Sequence, residues 1–158
     1  MSVPELLTDE NYMRQAIGQA KQAYERDEVP VGAVIVFENQ IIAKAYNQVE
    51  TLKDPTAHAE MIAVTQAVNT LKTKWLNKCT MYVTLEPCAM CAGALVLSRI
   101  STLVIAAEDP KTGACGSVMD IVRHNDLNHR IEVRPGILRE ESSALLKDFF
   151  RKKRHTLN

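Results

Sequence analysis

Two short segments, His58-Ala59-Glu60 and Pro87-Cys88-Ala89-Met90-Cys91, restrict what this chain can fold into more than anything else in it. Cysteines three apart on a helix put both sulfurs on one face, one turn apart, as a bidentate grip on a metal ion requires. Pro87 suits the first position of such a helix, where unpaired N–H groups and the helix dipole favour thiolate over thiol. Alone, the C-x-x-C pair would equally suit a redox couple or a coincidence. His58 lies about thirty residues upstream, at the start of another helical stretch. It is a natural third ligand across a sheet, so the fold has to bring the two segments together.

A structural metal site would want a fourth His or Cys, and the remaining thiols are Cys79 and Cys115. Cys79 opens the strand that leads to Pro87. That strand spans about 20 Å, which puts Cys79 at its far end. Cys115 falls in a loop and stays open as a neighbour of the site. Three ligands leave a position for water, the mark of a catalytic zinc, and one Zn²⁺ per chain is expected. Two thiolates cancel the charge of Zn²⁺, so the metal acidifies its water less than one held by three imidazoles. A nearby base is then required. Glu60, two residues from His58, can face the water instead of the metal and move its proton.

The rest of the chain supplies the scaffold. Asp9 can cap a helix carrying Met13, Ala16, Ile17, Ala20 and Tyr24 on one face. Pro30 separates it from Val31–Phe37, which pairs through a polar turn, Glu38-Asn39-Gln40, with Ile41–Tyr46. Asp54-Pro55-Thr56 is a loop, and Ala57–Val68 returns to helical period. Thr80–Leu85 reads as a strand, Pro87–Leu97 as a helix and Thr102–Ala107 as another strand. A loop follows over Asp109–Gly116, then a short helix over Ser117–Val122, a last strand at Ile131–Arg134 and a helix from about Glu140 to Lys153. This order predicts an α/β fold of one domain over residues 1–158, a three-layer α/β/α sandwich around a mixed five-stranded sheet. No apolar run approaches the roughly 20 residues of a membrane span, and the acidic N-terminus lacks the pattern of a signal peptide, so a cytoplasmic protein with reduced thiols is expected. The formal net charge is zero, so a nucleic-acid partner would need a local basic patch. The one dense basic run is the tail Arg151-Lys152-Lys153-Arg154-His155.

H-A-E followed by P-C-x-x-C resembles the signature of zinc nucleobase deaminases. The likeness is narrower than that superfamily. Asn47, the stretches Asp54–Glu60, Thr84–Ala94 and Asp109–Ser117, then Asn128-His129-Arg130 and Asp148–Arg151, are similar to the bacterial tRNA-specific adenosine deaminases. The resemblance implies a cytidine-deaminase-like fold, a homodimer, and conversion of adenosine to inosine at the wobble position of a tRNA anticodon. It makes His58, Cys88 and Cys91 the zinc ligands and Glu60 the proton shuttle. It likens Asn47 to an amide that contacts the flipped nucleoside. Asp109 and Lys111 become loop residues along the RNA groove, and Phe149, Lys153 and Arg154 part of a C-terminal helix that meets the anticodon stem-loop. At least one of Phe149 and Phe150 is expected in the core. Cys115 stands where the family often has alanine, and a small buried filler is the reading kept for it.

Two other functions fit parts of this pattern. A deaminase of free guanine or cytosine would use the same zinc and need no basic tail. A zinc-stabilised binding module or an inactive partner subunit would have no use for Glu60.

Overall fold

The computed structural model describes residues 3–157. A long helix, α1 (Val3–Glu25), precedes a hairpin of β1 (Gly32–Phe37) and β2 (Gln40–Tyr46). Next come a single turn, α2 (Val49–Leu52), helix α3 (Ala59–Leu71), β3 (Thr80–Leu85), helix α4 (Ala89–Leu97), β4 (Thr102–Ala107), β5 (Glu132–Pro135) and the terminal helix α5 (Arg139–Leu157). The sheet order is β2-β1-β3-β4-β5. β1 runs antiparallel to both β2 and β3, and β3, β4 and β5 run parallel. The sheet is therefore mixed and five-stranded, as the alternation of elements predicts.

Side chains alternate across the sheet with the period of two that strands impose. Ala33, Ile35, Met81, Val83, Leu103 and Ile105 point to the layer formed by α3 and α4. Val34, Val36, Tyr82, Val104 and Ala106 point to the layer that contains Met13, Ala16 and Ile17 of α1. Helices α1 and α5 thus cover one face and α3 and α4 the other. Gly32 allows α1 its close approach, because a Cβ there would stand 2.1 Å from the carbonyl oxygen of Ala16. Glu38 and Asn39 both have positive φ, the geometry of a two-residue hairpin turn whose twist matches its strands.

Four expectations change. Helix α1 begins six residues before Asp9, so Asp9 caps nothing. Its carboxylate is buried and accepts hydrogen bonds from the Tyr82 hydroxyl at 2.8 Å and from Arg134 at 2.9 and 3.1 Å. Pro87 lies before α4; the N-cap is Cys88, with an extended backbone. Residues 117–122 form turns with an isolated bridge between Cys115 and Asp120, and no helix. The loop's N–H groups there bond to Glu86 and to the carbonyl of Gly113, which removes the donors a helix would use. Finally, α2 is an extra turn, which no local pattern in residues 49–52 predicts.

The topology puts the ends that matter at one edge. β3 and β4 both run out toward Glu86 and Glu108, β2 ends at Asn47, and α3 and α4 both start there. Ligands of open α/β sheets bind in this position, outside the carboxyl ends of parallel strands.

Candidate active site

His58 reaches the site through a stiff turn. The Asp54 carboxylate accepts from the amide and the hydroxyl of Thr56, a local bond that Asp makes readily in turns. The Ala57 amide then bonds to the Asp54 carbonyl, and His58 becomes the N-cap of α3 with φ −78° and ψ 149°. The cap residue needs an extended backbone, and this swings the imidazole away from the helix toward α4. Cys88 caps α4 in the same way, and Cys91 follows one turn later.

The three side chains converge. His58 Nδ1 lies 3.6 Å from Cys88 Sγ and 3.5 Å from Cys91 Sγ. Tetrahedral zinc, with bonds of about 2.3 Å to sulfur and about 2.0–2.1 Å to nitrogen, requires a nitrogen–sulfur separation of about 3.6 Å. The observed spacing therefore fits zinc. All three ligand atoms lie within 4.8 Å of one another, and no fourth His, Cys, Asp or Glu joins the group among the described residues. Cys79 is fully buried ahead of β3, at the opposite end from Cys88, with its thiol pushed up to about 11 by burial. Cys115 is also buried, its sulfur 3.9 Å from the Pro87 carbonyl oxygen, and burial raises its thiol too. Neither is a ready thiolate.

The ligand sulfurs behave differently. The Cys91 side chain, the first-turn amides and the nearby His58 overcome burial and bring the Cys88 thiol down to about 5. Cys91 is pushed up, chiefly by its hydrogen bond with Cys88 and then by burial and Glu60. The two sulfurs, hydrogen-bonded to each other, thus hold one proton between them. A divalent cation between them would hold both as thiolates and release that proton. Glu60, in the first turn of α3, is 5% exposed. Burial pushes its carboxyl up to about 7, against the opposing pull of its own amide and His58. A carboxyl poised there can take and return a proton at neutral pH.

These groups sit in a cavity of about 790 Å³. Asn47, Asp109, Phe149 and Lys153 line it beside His58, Glu60 and Cys88. The Asn47 amide N–H of the backbone is bonded to Val31, while its carboxamide has no hydrogen-bond partner among the described residues and is free to meet a ligand. Asp109 spends its carboxylate on its own loop, accepting from the amides of Lys111 and Thr112 and from the Thr112 hydroxyl. Phe149 is 6% exposed and packs edge-on against Tyr24, so it is the core member of the phenylalanine pair; Phe150, 44% exposed, is the open one. Lys111 and Arg154 are exposed and stand outside the cavity wall.

The basic tail is less free than its sequence suggests. Arg151 and Lys152 both pair with Asp148, and Lys153 reaches Asp27 at 2.6 Å. Arg154 has no ion-pair partner among the described residues. Sequence reasoning also passed over two buried carboxylates in the wall, Glu28 and Glu86. Glu28 accepts from the amides of Glu50 and Thr51 and from the Thr51 hydroxyl, so it holds α2 over the cavity. Nothing local marks Glu28. Glu86 did carry a signal, since it stands between the strand end and Pro87-Cys88.

Residues 7–154 match the family model described as MafB19-like deaminase. A tRNA-specific adenosine deaminase of Aquifex aeolicus is 51% identical over 148 residues, covering 94% of this chain and 97% of the relative. A solved structure from a study of A-to-I editing by tRNA:A34 deaminases at the wobble position of transfer RNA superposes with a TM-score of 0.83 at 40% identity, covering 86% of this chain and 99% of the other. A guanine deaminase from Nitrosomonas europaea gives a TM-score of 0.76 at 27% identity, over 89% of this chain and 83% of the other.

Proposed function

Because this chain belongs to the tRNA-specific adenosine deaminases, we propose that it hydrolyses adenosine to inosine at the wobble position of a tRNA anticodon, with zinc held by His58, Cys88 and Cys91. The observation that carries the chemistry is the three-ligand cluster at zinc spacing with buried Glu60 beside it.

When bound, zinc supplies Lewis acidity that lowers the pKa of water at its open position. Glu60 does the proton work. Its carboxylate takes a proton from the attacking water and delivers one to ring N1 of adenine as the water oxygen bonds to C6. It then takes the second proton from the new C6 hydroxyl and passes it to the exocyclic nitrogen, which leaves as ammonia as the C6 oxygen becomes a carbonyl. The Asn47 carboxamide orients the nucleoside, and the buried site requires the base to leave its stack, which an anticodon loop permits more easily than a duplex.

At the cavity wall Phe150 offers an aromatic face for a neighbouring base, and outside it Arg154 offers a charge for phosphate, while Lys111 lies on the adjoining loop. The assembly is a homodimer in this reading. Leu97 on α4, 80% exposed, and Val118 and Met119 after the Asp109–Gly116 loop are the apolar residues available to it. No helix among the described residues is long and apolar enough to cross a membrane, and the substrate places the enzyme's work in the cytoplasm.

The test is competition between substrates. Pure protein is given an anticodon stem-loop with adenosine at the wobble position, and in parallel free guanine, cytosine and adenine. Inosine should form in the stem-loop with a kcat/KM far above that for any free base. Faster turnover of guanine than of the stem-loop would transfer the assignment to the guanine deaminases while leaving the zinc site intact.

A further inference from the structure

Glu86 belongs neither to the metal cluster nor to the proton path, yet it is 3% exposed in the wall of the cavity. Its two oxygens are fully engaged. Oε1 accepts from the Asp109 amide at 3.0 Å and from the Ser117 hydroxyl, and Oε2 from the amides of Cys115 at 2.9 Å and Ser117 at 3.1 Å. Every donor comes from the loop after β4, and a carboxylate, with acceptors on both oxygens, is the side chain that can take all four. The fit leaves no slack. A Cβ on Gly113 would stand 2.4 Å from Cδ and Oε2 of Glu86 and 2.5 Å from the Asp109 carbonyl oxygen.

The backbone around Glu86 ties the same parts together. Its amide donates to the Ala107 carbonyl at the end of β4, and the next carbonyl, Pro87, accepts from the Ala114 amide. Cys88 follows Pro87 directly. The loop so anchored contributes Asp109 and Thr112 to the cavity. We infer that Glu86 is a positioning residue that fixes the substrate-facing loop, residues 109–117, in register with the metal-binding turn, so that the nucleoside is held at the correct distance from the site of hydrolysis. This rests on the deaminase reading. An apolar residue would fill the space equally well but would leave three N–H groups, that of Cys115 buried, and a hydroxyl without this acceptor.

The inference is tested with Glu86→Gln and Ser117→Ala, the second removing a single donor from an exposed part of the loop. Glutamine must turn its nitrogen toward one pair of donors in either orientation. For Glu86→Gln, KM for the stem-loop should rise about tenfold with kcat within about threefold, and zinc affinity in chelator competition should stay as in the wild type. Ser117→Ala should shift KM in the same direction by less. Hydrogen exchange should speed up at the amides of Asp109, Cys115 and Ser117 in Glu86→Gln, and not in β1 or α3. A lowered melting temperature with KM and loop exchange unchanged would make Glu86 a stability residue only and overturn the inference. Loss of zinc affinity would overturn it in another way, by assigning Glu86 to the metal grip. If the wild type made no inosine at all, the functional reading would fall, and the exchange pattern would still decide whether Glu86 holds the loop.

Discussion

At the scale of single residues, the proposed chemistry divides between groups that would hold a cation and one that would move protons, and the two kinds should fail differently. Replacing Cys88 with alanine removes one of the three clustered donors. Zinc content should fall from one per chain to near zero, and the melting temperature should drop with it, because ligand binding contributes folding free energy. Replacing Glu60 with alanine should leave zinc content and fold in place while kcat falls by about 10²–10⁴-fold or more, the range for a general acid–base. Metal analysis and single-turnover rates on both variants check this. A Glu60→Ala enzyme with more than a tenth of wild-type kcat would remove Glu60 from the proton path. These four residues were legible in the sequence because their meaning is local: a two-residue spacing from His58 to Glu60 and a three-residue spacing from Cys88 to Cys91, each at a helix start. Asp9, Glu28 and Glu86 were not legible in the same way. Asp9 meets Arg134 across 125 positions of sequence, so no local pattern could announce it, and Glu86 is marked only by its place before Pro87-Cys88, since its donors lie 23 to 31 residues away.

At the scale of elements, the strands and long helices follow from periodicity, and the misreadings concentrate where a short segment takes its hydrogen bonds from elsewhere. Residues 117–122 read as a short helix but donate to Glu86 and Gly113 instead of to one another. The turn α2 exists because Glu28 supplies acceptors at its start. Burial pushes the Glu28 carboxyl up, but hydrogen bonds from Thr51 and from the amides of Glu50 and Thr51, with Lys53 nearby, outweigh it and hold it below the usual carboxylate range. A depressed folded-state pKa contributes stability that is present above the unfolded value of about 4.3 and is lost as pH falls through the folded value. Glu28→Gln should therefore be less stable than wild type at pH 7, and the difference should shrink in urea melts below about pH 4. A difference that stayed constant from pH 7 to pH 3 would mean the charge is immaterial there. Helix α5 makes a separate prediction. Since Arg151, Lys152 and Lys153 already face Asp148 or Asp27, Arg154 is the arginine or lysine of the 151–154 run left for RNA among the described residues. Arg154→Ala should reduce the slope of log affinity against log salt by about 0.7, the value for one phosphate on a single-stranded loop. Lys153→Ala should change it less. Equal slopes for wild type and Arg154→Ala, by fluorescence anisotropy on the stem-loop, would demote the tail to a solvated helix end.

At the scale of the whole molecule, the fold serves as a device for bringing two helix N-termini and two strand ends to one edge of a sheet. The condition visible at the outset, that a histidine and a distant cysteine pair must meet, is satisfied by β3 running parallel to β4 and antiparallel to β1. The exposed apolar residues of α4 and its neighbouring loop lead to an expected homodimer, and sedimentation at micromolar concentration should give twice the monomer mass; an active monomer would contradict it. The central claim is that one zinc, held by three protein ligands beside Glu60, is the site of wobble-adenosine hydrolysis. The most direct measurement removes metal with a chelator, restores zinc in fractional equivalents, and follows inosine at the wobble position of the stem-loop. The account predicts no inosine in the apo protein and a rate that rises linearly and saturates at one zinc per chain. Undiminished inosine formation without metal, or saturation only at two zincs per chain, would contradict it.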